Sequence, residues 1–150
     1  MKTLPYENAT SGDKALGEIG ALLSKFGCGT FGTMTDAERG ATIVQFKWRE
    51  HMVSIEASWK GYAAAWLKAH PYAYGRTRCS SDQHKQKALD QAKISVCSVL
   101  RDWVKGQITA VEVGLIPFEH VFMPHLLMPD GRRLIDRVQS EILALPSSTP

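Results

Sequence analysis

Apolar residues at Leu16, Ile19, Leu22, Leu23 and Phe26 recur at helical spacing and predict a first helix over about 13–26. Ser11 or Asp13 supplies a cap, and Gly27 and Gly29 end the helix. The period then changes to two. Residues 30–35 are β-favouring, and Asp36 to Gly40 reads as a polar turn. Thr42, Val44, Phe46 and Trp48 alternate with Ile43, Gln45 and Lys47. Past a tight turn at Arg49-Glu50, Val53, Ile55 and Ala57 alternate with Met52, Ser54 and Glu56. The pattern predicts a three-stranded antiparallel meander with one buried face.

Helical signals dominate the remainder. Ser58 caps a predicted helix running to about Ala69, which Pro71 stops. A loop with Pro71, Gly75 and two serines covers 70–80. A long helix over about 81–113 follows, capped by Ser80 or Ser81, with an apolar stripe through Leu89, Ala92, Val96, Val99, Leu100, Trp103, Ile108 and Val111 and with Gly114 at its end. Pro117 opens a short helix that Pro124 limits, Met128 to Gly131 is a turn, and a last helix covers about 132–144. Residues 1–12 are expected as a flexible arm, 13–145 as a single α+β domain and 146–150 as a frayed tail. The fold class expected is therefore α+β: an N-terminal helix, a three-stranded antiparallel β-meander, then helices, including one long helix, packed on one sheet face. Such a sheet lacks the crevice at parallel strand ends that dinucleotide enzymes use.

Composition narrows the function classes. At 150 residues with 44% hydrophobic content the chain can build a core, and bulk disorder is disfavoured. No apolar run approaches a membrane span, and the polar start from Met1 to Gly12 lacks a signal peptide's apolar core. Cys28, Cys79 and Cys97 show no C-x-x-C spacing, which argues against a disulfide framework or cysteine zinc site and for a reduced, cytoplasmic setting. Cys97 reads as a core residue and Cys79 as an exposed thiol.

Charge and aromaticity coincide in one stretch. Residues 59–93 hold Lys60, Lys68, Arg76, Arg78, Lys85, Lys87 and Lys93 against Asp82 and Asp90, a formal +5 in a chain whose total is +3. Five of the eight Tyr and Trp residues, Trp59, Tyr62, Trp66, Tyr72 and Tyr74, lie in the same window. Cations neutralise phosphates and flat rings stack on unpaired bases, so the pairing suits single-stranded nucleic acid. Trp59, Tyr62 and Trp66 share a helix face, however, and packing of that face on the sheet against Phe46 and Trp48 is the preferred reading for them. Tyr72 and Tyr74 flank a Pro/Gly loop and are the better candidates for exposed rings. Arg76, Arg78, His84, Lys85 and Lys87 are the candidate phosphate contacts, set against the ordinary alternative of a solvated charged face.

Other chemistry is weaker. Glu119, His120 and His125 lack H-E-x-x-H spacing, and Pro124 spoils the geometry that would aim both rings at one ion. No serine has a G-x-S-x-G setting, and no paired carboxylates suit acid/base work. Gly27, Gly29 and Gly32 follow a helix and open a strand, the reverse of a phosphate loop, and no Gly-Lys-Ser/Thr follows. Neither an enzyme nor a cofactor nor a metal is expected. The apolar segment 113–128, rich in Phe, Met and Leu, is either packing beneath the long helix or a subunit or partner interface, which leaves a homo-oligomer open.

The run Leu100-Arg-Asp-Trp-Val-Lys-Gly-Gln-Ile-Thr-Ala-Val-Glu-Val-Gly-Leu-Ile-Pro-Phe-Glu-His-Val-Phe, followed by Leu127-Met-Pro-Asp-Gly-Arg, resembles small uncharacterised proteins of tailed phages and prophages. Phe26-Gly and the hairpin strand ending at Trp48 share the likeness, which spans about 15–140. The resemblance implies a phage-derived accessory protein of a replication or recombination neighbourhood, in the host cytoplasm, and carries no catalytic residues. A helix, a meander and a further helix also resemble, in topology alone, the core of phage single-strand annealing proteins. The function expected is non-enzymatic binding of nucleic acid, preferably single-stranded DNA. The alternative is a protein–protein interaction module acting on a host or phage protein.

Overall fold

The computed structural model describes residues 3–75 and 79–144. Helix α1 (Gly12–Phe26) leads into strands β1 (Thr30–Asp36), β2 (Ala41–Trp48) and β3 (His51–Ser58), then helices α2 (Trp59–Ala69), α3 (Ser81–Glu112), α4 (Phe118–Phe122) and α5 (Leu134–Ala144). A single 3-10 turn at Met123–His125 follows α4. The three strands form one antiparallel sheet in sequence order, as the alternation requires. The fold is thus α+β, as the pattern predicts.

Local chemistry sets the ends of these elements. Ser11 Oγ accepts a hydrogen bond from the Lys14 backbone amide, and Gly27 closes α1 with a φ of 98°, the left-handed conformation that glycine adopts without steric cost. Arg49 takes a φ of 53° in the two-residue turn between β2 and β3, and its guanidinium lies 4.2 Å from the Trp48 ring centre.

One core joins the layers. Val44, Phe46, Val53 and Ile55 on the inner sheet face cluster with Ile19 and Leu23 of α1 and with Val96, Leu100, Val104 and Ile108 of α3. At the far end Trp48 stacks on Phe118 at 4.0 Å, and Phe122 meets Phe46 edge-on at 5.4 Å. These ring partners come from α4, whereas the sequence pattern expects the aromatic face of α2 there. The reason is the junction: β3 ends at Ser58 and α2 starts at Trp59 without a loop, so the helix leaves the end of the sheet and packs chiefly on α3.

Two further differences concern burial. Ala41 and Ile43 point to the outer sheet face yet are buried, because β2 is the central strand and Glu56 beside it is clamped by Arg39 and Arg133. The segment expected as a loose arm is tied down across residues 3–11. Tyr6 Oη donates to Asp102 at 2.7 Å, Tyr62 Oη to the Pro5 carbonyl at 2.6 Å, and Ser95 Oγ to the Tyr6 carbonyl at 2.8 Å. The C-terminal segment also closes one sheet edge: Leu127 N–H donates to the Met52 carbonyl at 2.8 Å, and Leu126 bridges Val53.

Candidate nucleic-acid interface

The basic-aromatic window folds into α2, the loop after it and the first turns of α3. Ser58 caps α2, whose inward face carries Trp59, Ala63 and Trp66, all buried. Trp59 Nε1 donates to Thr42 Oγ1 at 2.8 Å, so its polar edge is satisfied inside the core. Lys93 Nζ stands 5.2 Å from the Trp59 ring centre. Tyr62 is half-buried and spends its hydroxyl on the arm. Trp59 and Trp66 belong to the core and Tyr62 packs against it, but the face rests chiefly on α3 and not on Phe46 and Trp48 as expected.

Past Ala69 the rings step outward. Trp66 lies 4.6 Å from the His70 ring and 5.2 Å from His84. His84 is 5.5 Å from Tyr72, and Tyr72 meets Tyr74 edge-on at 4.6 Å. The series runs from a buried tryptophan to a tyrosine that is 82% exposed. Each middle member is fixed by a polar bond. His70 Nε2 donates to Glu7 at 2.6 Å, His84 Nε2 donates to the His70 carbonyl at 2.6 Å, and Tyr72 Oη donates to the Cys79 carbonyl at 2.9 Å. The bond from His70 holds the Glu7 carboxyl below its ordinary range. A reciprocal capping box between Ser80 and Gln83 locks the start of α3 beneath this loop.

The structure therefore separates the two candidate tyrosines. Tyr74 is free at its face, while Tyr72 is half-buried and supports it. Cys79, expected as an exposed thiol, is half-buried. Arg76 and Arg78 lie outside the described residues. Lys85 and Lys87 are both exposed, but two positions along a helix point roughly 200° apart, on either side of the buried stripe through Ala88 and Ser95. They do not form one patch.

Among the described residues no lysine makes an ion pair, in this region or elsewhere; the pairs use Arg39, His70, Arg101, Arg133 and Arg137. Lys60, Lys68, Lys85 and Lys87 are all exposed.

Sequence reasoning missed Glu7 and His70. A histidine directly before Pro71 marks a helix end, but nothing along the chain joins it to a carboxylate 63 positions away.

The metal candidate does not assemble. Glu119 and His120 are exposed, whereas His125 packs edge-on against Trp103 at 5.6 Å, and burial pushes its pKa down. Among the described residues no group of three or more His, Cys, Asp or Glu side chains could hold an ion. Among the same residues no helix is long and apolar enough to cross a membrane. No protein-family model, curated protein or solved structure matches this chain.

Proposed function

We propose that this chain is a non-enzymatic accessory protein of the phage type that binds nucleic acid, preferably single-stranded, through the loop after α2 and the start of α3. Tyr74 stacks on a base, Tyr72 holds it in place, and Lys85 together with Arg76 and Arg78 takes the flanking phosphates. The observation that carries this reading is the exposed Tyr74 ring, 82% accessible, at the end of a fixed series of rings. An unneeded exposed ring costs hydration, and a stack on a base recovers about 1–3 kcal/mol. Lys85 is exposed and makes no ion pair among the described residues, which leaves its charge open to an acidic ligand.

The test is binding to a labelled single strand of about 30 nucleotides and to its duplex, between about 50 and 200 mM salt. Preference for the single strand, steep loss with salt, and weaker binding by the folded Arg76→Ala/Arg78→Ala variant are expected. No binding at the lower salt refutes the proposal.

A second reading, docking on a host or phage protein, has its own support at the other end of α3. Val113, Leu115 and Ile116 are 63%, 75% and 41% exposed, and such contiguous apolar side chains mark protein contacts. It predicts association that salt does not weaken.

A further inference from the structure

Strand β1 is an edge of the sheet. It pairs with β2 on one side through all seven residues, and among the described residues nothing pairs with its other side. Edges in soluble proteins are commonly blunted by lysine, proline, a bulge or a covering segment. The opposite edge of this sheet is partly covered by Leu126 and Leu127. Thr30 to Asp36 has no proline, no lysine and no charge before its last residue. Its large side chains are open on both faces, with Phe31 42% exposed towards α1 and Met34 52% exposed on the outer face.

We infer that this edge pairs with β1 of a second copy, antiparallel about a two-fold axis through Thr33, to make a continuous six-stranded sheet. This register overlaps the whole strand. It sets Thr33 opposite Thr33, Phe31 opposite Thr35, Gly32 opposite Met34 and Thr30 opposite Asp36 of the second copy. Directly opposed residues of an antiparallel pair share a face.

Two features of the outer face fit this pairing. A hollow of about 270 Å³ lies over Gly32, bordered by Thr30, Met34, Gln45 and Met52. A Cβ at position 32 would meet no atom within 4 Å, so the missing side chain leaves room for the second copy's Met34. The charges also complement. Thr30 is paired with Lys47, which is exposed and makes no ion pair among the described residues. Asp36 of the second copy falls opposite Thr30, two strand spacings from Lys47, about 9.6 Å between backbones and within reach of the two side chains. Symmetry makes this pair twice, once at each end. No like charges oppose one another anywhere in the register.

A seven-residue edge with one methionine on each side buries less than the 1,200–2,000 Å² or so of a stable interface. The dimer is therefore concentration-dependent. Sedimentation of the full chain over a range from micromolar to millimolar should show a reversible monomer–dimer equilibrium. Met34→Lys alters an exposed side chain, fills the hollow with charge and should weaken the dimer at least about tenfold, about 1.4 kcal/mol. A short bis-maleimide should cross-link Thr33→Cys into dimers well beyond the wild-type background set by Cys79. Monomer throughout the range overturns the inference. So does a dimer that Met34→Lys leaves unchanged, which would assign association to another surface such as Leu115 and Ile116. A dimer sensitive to Met34→Lys but without cross-linking at position 33 overturns the register.

Discussion

The two ends of α3, about 48 Å apart along a single 32-residue helix, carry opposite chemistry. At the N-terminal end lie a serine cap, the exposed Tyr74 ring and the exposed Lys85 and Lys87. At the C-terminal end lie Val113, Leu115 and Ile116, followed by the buried Phe118 and Phe122. One helix thus separates the surface proposed to take an acidic, flat-faced ligand from an exposed apolar one. The difference also shows how exposure arises. The polar end keeps its ring outside because Tyr72, His84 and Trp66 fill the space beneath it. The apolar end keeps side chains outside because Gly114, with a φ of 77°, breaks α3 and turns the chain before α4 returns to the core.

The comparison breaks most strongly at Phe122. Its side chain is fully buried between Phe46, Trp103 and Phe118, so Phe122→Ala should cost about 3–5 kcal/mol in denaturant unfolding. A loss below about 1 kcal/mol would mean that α4 is not part of the cooperative core.

Next in size is a paired test of the two surfaces. Tyr74→Ala should leave stability within about 0.5 kcal/mol and reduce single-strand affinity by about 1–3 kcal/mol. Leu115→Asp should leave both unchanged while abolishing any salt-insensitive association. If Tyr74→Ala binds the strand as well as the wild type, the ring is not a stacking platform.

The smallest effect concerns what anchors the polar half. Glu7 bonds to His70, and Asp102 accepts from Tyr6 and pairs with Arg101. Both carboxyls are held below their ordinary range by these bonds. A carboxyl whose folded pKa is lowered contributes stability that is complete above its unfolded value and is lost as pH falls through the folded one. Amide-exchange protection of residues 4–11 should therefore hold at neutral pH and fade below about pH 4, with Glu7→Gln weakening it at neutral pH. Protection unchanged down to the global acid transition would show that the apolar contacts of Leu4 suffice.

Much of the fold was legible because it is written in local periodicity. The helix ending at Gly27, the alternation around Val44 and Phe46 and a serine cap at position 80 or 81 each depend on residues within a few positions of one another. The helical period alone also turns Lys85 and Lys87 apart, which grouping them by their closeness in sequence overlooked. The core role of Trp59 and Trp66 followed from their shared helix face.

What the sequence by itself determined is the order of elements, the sheet's strand order and a basic, aromatic stretch around the α2–α3 loop. Only the tertiary structure decided which ring of that stretch faces solvent. Tyr72 and Tyr74 have the same side chain and nearly the same neighbours, but only Tyr72 reaches His84 and the Cys79 carbonyl. The docking of residues 3–11 is decided in the same way. Its bonds join Tyr6 to Asp102 and Glu7 to His70, 96 and 63 positions apart, and no local pattern encodes a contact that exists only after distant helices have packed.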